Sequence, residues 1–337
     1  MLNAVREELL DYTSFVSIIK GKIAERMGQG YQVKIFKVIK NNSLELDSLA
    51  VLKEGRNYSP NIYLNAYYDS YLTGTPVTEI VERLYMIYEN CTVPIVKENF
   101  EYTLELMRPY IFFRLVSLER NKKLLKQVPY VEYLDLAITF HCLVRSEAEE
   151  IGSIRITNDH IKQWNIGCDK LMELAIKNTK KLFPPVIRTM EEVIRELIYK
   201  DEGNEMLDLG DSGYNIYPRG CNTNQMECNT NQMECGTNQM ECGTYPMYIL
   251  TNEKGINGAS CLIYKDLIKE FAQRIKSDLY ILPSSIHEII LVPNEGNEDK
   301  ERFQQMVMDI NSSQVPAEEV LSDRVYMYSL KMDTILM

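Results

Sequence analysis

Histidine and tryptophan are almost missing from this chain, with three of the first and one of the second in 337 residues. Histidine is the side chain whose charge changes near neutral pH and the commonest metal ligand. Its scarcity leaves few places for acid–base or metal chemistry. The phosphate-cradling loop GxxxxGK[ST] does not occur. Gly28-Gln29-Gly30 is too short for a dinucleotide fingerprint, and a helical pattern precedes it where a strand should stand. Gly258-Ala259-Ser260 lacks the following glycine of a nucleophile elbow. His287-Glu288 opens like the zinc-binding HExxH, but Leu291 stands in the second histidine's place. No cofactor or metal is therefore expected.

Long apolar runs are lacking too. The stretch 134–144 contains Asp135 and His141 and falls well short of the roughly 20 residues that a bilayer-crossing helix needs. The start reaches Glu7 and Glu8 without an apolar stretch, which reads against a signal peptide. The expectation is a cytoplasmic protein whose eight cysteines are reduced thiols. Positive charge is in short supply, with a formal net charge of −11. Such a surface repels a phosphate backbone or an anionic membrane, so neither is an expected partner.

What is present describes an ordinary core-forming protein. Hydrophobic residues make up 45% and charged residues 25%, which suits a globular chain. Tyrosine, with 22 copies, combines an apolar body and a polar tip, which suits half-buried positions. Residues up to Met27 read as a helix with Phe15, Ile19 and Ile23 on one face. A hairpin follows over 31–52, turning at Asn41-Asn42-Ser43, with a short strand at 61–65. Thr75-Pro76 starts a helix whose stripe is Val77, Ile80, Val81, Leu84 and Ile87. Residues 1–95 read as one small α/β unit. Residues 96–200 and 245–337 read as a main α+β domain. In it the pattern predicts a helix over 117–127, one long strand over 130–145, and a helix over 168–182. A hairpin is expected over 247–264, turning at 253–258. Helices and hairpins are intermixed without regular βαβ repeats. The expected class is α+β, with antiparallel, hairpin-based sheets and flanking helices.

Between those parts lies a tandem repeat. Residues 221–241 are CNTNQME, CNTNQME and CGTNQME, and Cys242-Gly243-Thr244 begins another copy. Zinc sites pair cysteines two to four residues apart. Here neighbouring cysteines lie seven apart, about 20 Å if extended. Asn-Thr-Asn is a weak helix former and Met and Cys make a poor heptad seam. With its Gly-, Asp- and Asn-rich flank, 201–244 reads as a disordered loop that holds an expanded repeat.

One place gathers chemistry-bearing residues. Ser284, Ser285, His287 and Glu288 follow the apolar run 279–283. A hydroxyl, an imidazole and a carboxylate within five residues can form a polar site. If the segment were a strand, Ser285 and His287 would share a face, and Glu288 would join them only through a bulge. Asn178, on the helical stripe of Leu171, Leu174, Ala175 and Leu182, and Asn252 are the candidate neighbours. His287→Ala is then expected to cost little, about 1 kcal/mol or less.

The motifs of the chain also resemble a family. KNN at 40–42, SPNIYLN at 59–65, VPYVEYLDLA at 128–137, YILTN at 248–252, NGAS at 257–260 and DLYILPSSIHE at 278–288 carry the resemblance. The chain resembles an uncharacterised family of gut-bacterial proteins known only as a domain of unknown function. The repeat departs from that pattern, as an insertion would. A fainter similarity, from Trp164 to Asn178 and from Gly258 to Pro283, is to a second uncharacterised bacterial family. The resemblance implies a fold and no activity. With no catalytic signature, the expected role is a non-enzymatic binding or interaction protein whose partner is a protein or small molecule. The alternative is an enzyme of unfamiliar type that uses the turn 284–288.

Overall fold

The structure is a computed structural model, and it describes residues 9–55, 59–90, 103–146, 151–202, 246–264, 266–294, 296 and 300–337. The repeat and nearly all of the expected loop 201–244 lie outside the described residues. The class is α+β with antiparallel sheets. No described helix is long and apolar enough to cross a membrane.

Two compact units share the chain. The first comprises Met1–Ile111, Arg120–Pro129 and His141–Ile166; the second comprises Phe112–Glu119, Tyr130–Phe140 and Gly167–Met337.

The first unit opens with α1 (Tyr12–Met27), capped by the Asp11 carboxylate, which accepts from the Ser14 N–H at 2.8 Å. Phe15, Ile19 and Ile23 recur every four residues and are all buried. Strands β1 (Tyr31–Ile39) and β2 (Glu45–Lys53) form a hairpin in which Val33 faces Val51 and Ile35 faces Leu49. A short β3 (Ile62–Tyr63) completes a three-stranded sheet. Helix α2 (Asn65–Leu72), absent from the sequence reading, follows directly, and α3 (Val77–Asn90) buries Ile80, Val81 and Leu84. Helix α2 shows one use of tyrosine in this fold. The Tyr71 hydroxyl accepts from the Leu10 N–H, and the Tyr68 hydroxyl donates to the Leu10 carbonyl, both at 3.0 Å. Their rings meanwhile pack beside Phe15. Phenylalanine could fill the same space but could not hold the incoming chain.

Three further helices are short: α4 (Leu104–Met107), α5 (Lys122–Leu125) and α6 (Asn158–Trp164). The helix expected over 117–127 is thus a single turn. Residues up to Ser117 belong instead to β4 (Ile111–Ser117), which is almost wholly buried.

The long strand expected over 130–145 is a hairpin. β5 (Tyr130–Tyr133) pairs with β6 (Leu136–Ser146), with Tyr133 opposite Leu136. The chain reverses at Leu134 and Asp135, where Leu134 takes φ +56°. That conformation costs an L-residue about 1–2 kcal/mol, and no glycine or asparagine announces it in the sequence. The first half of β6 lies with β4 and β5 in the second unit. The second half pairs with β7 (Ile151–Arg155) in the first.

The rest of the second unit is one antiparallel sheet with helices. In chain order come α7 (Cys168–Leu182), β8 (Pro185–Thr189), α8 (Met190–Glu202) and β9 (Tyr248–Asn252). Then follow α9 (Leu267–Ile275), β10 (Leu279–Leu282), β11 (Ile289–Pro293), α10 (Lys300–Ser313), β12 (Tyr326–Ser329) and β13 (Thr334–Leu336). The strand order is β13-β12-β10-β11-β9-β8. The hairpin expected over 247–264 does not form. β9 pairs with β8 and β11, and Gly258–Ile263 is a buried 3-10 helix.

Candidate functional site

Strands β10 and β11 pair with Leu282 opposite Ile290, so 283–288 is their connection. Strand β10 is buried at all four positions, which fixes where the connection starts. Two other stretches of the second unit close on it. From one side comes 319–322. The Ile286 N–H donates to the Glu319 carbonyl at 2.9 Å, and the Leu321 N–H donates to the Ser284 carbonyl at 3.0 Å. The Ser322 N–H donates to the Pro283 carbonyl at 3.0 Å. From the other side comes 251–259. The Thr251 hydroxyl donates to the His287 carbonyl at 2.8 Å, and the Ala259 N–H donates to the Ile286 carbonyl at 3.2 Å.

Gly258 makes that closure possible. A Cβ there would meet Thr251 Oγ1 at 2.1 Å, the His287 carbonyl oxygen at 2.4 Å and the Asn252 nitrogen at 2.8 Å. No side chain fits.

At the centre stands His287. Its backbone N–H donates to Ser285 Oγ at 3.0 Å. Its Nδ1 faces the Asn257 N–H at 3.3 Å, and its Nε2 lies 3.5 Å from Glu319 Oε1. The His287 side chain is 20% exposed and that of Glu319 is 32% exposed. Burial alone would lower the imidazole. Glu319, Glu288 and the Gly255 carbonyl outweigh it, so the ring holds its proton above the ordinary value. Glu288 is also raised, chiefly by burial, against the pull of His287 and the Ser285 hydroxyl. Next to the site, burial pushes the Cys261 thiol up to about 12, so it is a packed thiol and not a nucleophile.

The structure therefore brings Asn252, Ser284, Ser285, His287 and Glu288 to one end of the sheet. Ser285 is buried, while Ser284, His287 and Glu288 are half-buried. Glu288 reaches Ser285 because 286–287 is a bend, which ends the two-residue alternation of a strand. Asn252 shapes the loop beyond β9: its Oδ1 accepts from the Lys254 N–H at 3.0 Å and its Nδ2 donates to the Ile256 carbonyl at 2.9 Å. Asn178 is not among the partners just named. It lies half-buried on α7, beside a buried stripe of Leu171, Ala175 and Thr179. The ring's two contacts also raise the expected cost of His287→Ala, to about 2 kcal/mol, since the half-buried Asn257 N–H and Glu319 carboxylate both lose a partner.

Sequence reasoning missed Thr251, Gly258 and Glu319 at this site, and Thr179 on α7. The inward residue of that helix is the one at i+4 from Ala175, not i+3. Thr179 Oγ1 accepts from the Phe113 N–H at 3.1 Å and donates to the Ala175 carbonyl at 2.6 Å. Thr179→Val keeps the shape and strands a buried N–H. A loss of about 2 kcal/mol in urea denaturation is expected, with Thr179→Ser much milder. Equal stability of Val and Thr would refute it.

The other two histidines have structural settings. His141 is buried on β6. His160 stacks on Trp164 at 5.6 Å, and its Nδ1 accepts from the Thr157 N–H at 3.0 Å. Among the described residues no group of three or more His, Cys, Asp or Glu side chains could hold a metal ion.

The arrangement around 283–288 uses the same motifs that carried the family resemblance. The family model of DUF5688, a family of unknown function, matches residues 12–330. The chain belongs to that family. Neither a curated protein nor a solved structure matches it. The DUF5688 match spans both units, including the whole of the His287 site.

Proposed function

We propose that this chain is a non-enzymatic binding or interaction protein of the bacterial cytoplasm, with a protein or a small molecule as its partner. One observation carries the reading: the polar groups of the turn are used by the fold itself. Ser285 is buried and accepts from the His287 N–H, and both ring nitrogens of His287 face groups of the same chain. A nucleophile needs a base that is free to take its proton. The buried, free thiols of Cys142 and Cys261 support a reducing compartment, and the resemblance to gut-bacterial proteins supports the source. The charge of −11 supports a partner other than nucleic acid or an anionic membrane.

A second reading has its own support. Glu288 and His287 are both held above their ordinary values within one turn, and such pairs occur at acid–base sites. On that reading the chain is an enzyme of unfamiliar type.

The full-length protein is assayed with chromogenic esters, amides, phosphoesters and glycosides, and its melting temperature is followed against a metabolite library. Binding predicts a saturable rise in melting temperature with some compound, and the same negligible turnover for wild type and Ser285→Ala. Turnover lost in both Ser285→Ala and His287→Ala, with the fold intact, would establish the enzyme instead.

A further inference from the structure

The hydrogen bonds of β1 show which way its backbone groups point. The Glu54 N–H donates to the Gly30 carbonyl and the Lys40 N–H to the Leu44 carbonyl, both at 2.8 Å. These pairs continue the register in which Gln32 faces Leu52 and Val38 faces Leu46. In an antiparallel ladder the bonded pairs recur at every second residue. The even-numbered residues of β1 therefore bond to β2, and Tyr31, Val33, Ile35, Lys37 and Ile39 turn their backbone groups the other way. That way lies no further strand, because β1 is an edge of its sheet. Arg155 Nη1 meets the far end, donating to the Ile39 carbonyl at 3.2 Å. Among the described residues nothing bonds the outward groups of Val33, Ile35 and Lys37.

We propose that this open edge receives an extended, acidic segment of a partner protein as an added strand. The proposal rests on the reading of the chain as an interaction protein, and it names the surface and the partner's chemistry. In such pairing the main-chain bonds supply affinity and the side chains at alternate positions supply choice.

Charge selects the occupant. In a chain with 48 acidic and 37 basic residues, 31–40 holds Lys34, Lys37 and Lys40 and no Asp or Glu. Among the described residues none of the three is in an ion pair, and Lys40 lies over the Tyr63 ring at 4.2 Å. The acids across the ladder, Glu45 and Asp47, stand on the β2 side, and Glu45 is held by Lys123 at 3.0 Å. Arg155 adds a cation where the edge ends. A second copy fits poorly, since β1 beside β1 would set three lysines from each chain together, and like charges on neighbouring strands repel. Lysines also defend an edge against chance pairing, but protected edges are commonly short or bulged. This one runs nine residues in unbroken register. Its outer face sets Phe36, 45% exposed, and the half-buried Val38 after Lys34. An incoming strand thus meets both cations and apolar surface.

The test titrates the full-length protein with a peptide of alternating valine and glutamate, nine residues long like β1, and reads amide exchange by NMR. At saturation, exchange at Val33, Ile35 and Lys37 should slow about tenfold. Added salt should weaken binding, and the same peptide with lysine for glutamate should give no protection. Ile35→Pro removes an outward N–H and no bond to β2, and should weaken binding about tenfold or more. Lys37→Glu, at an exposed position, should do the same, so the test survives if Ile35→Pro does not fold. Protection by neither peptide, equal protection by both, or protection that grows with protein concentration alone, as a second copy would give, would overturn the proposal. If the peptide fails while a compound from the melting-temperature screen still binds, the edge is refuted and the binding reading stands.

Discussion

Replacing Gly258 by alanine is expected to remove about 4 kcal/mol of stability, at the upper end of what single substitutions do. The reason is space. Of the three atoms that the new methyl would strike, two belong to the backbone, at 2.4 and 2.8 Å. The third, Thr251 Oγ1, could rotate away only by giving up its bond to the His287 carbonyl. Relief therefore means moving β9 away from the turn 283–288. Overpacking that needs backbone shifts costs about 1–3 kcal/mol, occasionally more, and the broken hydrogen bond adds to it. Urea denaturation gives the number, with Thr251→Ala as the control that loses the bond without the clash. A Gly258→Ala protein within about 1 kcal/mol of wild type would mean that the close approach is not as tight as described.

Asp135→Ala is expected to be nearly as damaging, at about 3 kcal/mol. Its carboxylate accepts from the Ser322 hydroxyl at 2.7 Å and from the Tyr326 hydroxyl. Tyr326 is fully buried, so alanine at 135 takes away the charged acceptor of a dry phenol and leaves it only the Ser322 hydroxyl. The Arg324 guanidinium, 4.0 Å away and well exposed, contributes little. A double-mutant cycle isolates the effect. Adding Tyr326→Phe to Asp135→Ala should restore a good part of the loss, because the stranded hydroxyl is then gone. Strict additivity of the two changes would show that Asp135 acts elsewhere.

Much of the fold was legible in the sequence where the signal is local. Phe15, Ile19 and Ile23 mark α1, the Asn-rich turn at 41–43 marks the first hairpin, and Thr75-Pro76 marks α3. The failures share a cause. The reversal at Leu134 uses a residue that ordinarily avoids positive φ, so nothing breaks the β pattern of 130–145. The stretch 253–258 reads as a hairpin turn, but the partners of β9 are β8 and β11, and Gly258 serves close approach and not handedness. Of the candidate site, the residues contiguous at 284–288 were visible. Glu319 and Thr251 were not, because they reach His287 only through pairings across 32 and 36 positions.

The pairing of Asp135 with Tyr326 also concerns how the protein is made. The two residues are 191 positions apart, and by residue 167 the chain has passed between its two units five times. A ribosome adds about 5–20 residues per second, so the carboxylate emerges about 10–40 s before the phenol that it binds. The last segment of the first unit ends at Ile166, and that unit is complete on the way. The second is not. Its apolar strand β4 leaves the ribosome early and waits for Thr179 and Ser260, whose hydroxyls accept from its buried Phe113 and Leu115 N–H groups. For those seconds β4 can pair within its own sheet but lacks the later segments that complete its packing, and incompletely packed apolar strands are the form that aggregates or is held by chaperones. The order of synthesis thus exposes this chain to aggregation during its making, whatever the stability of the finished protein.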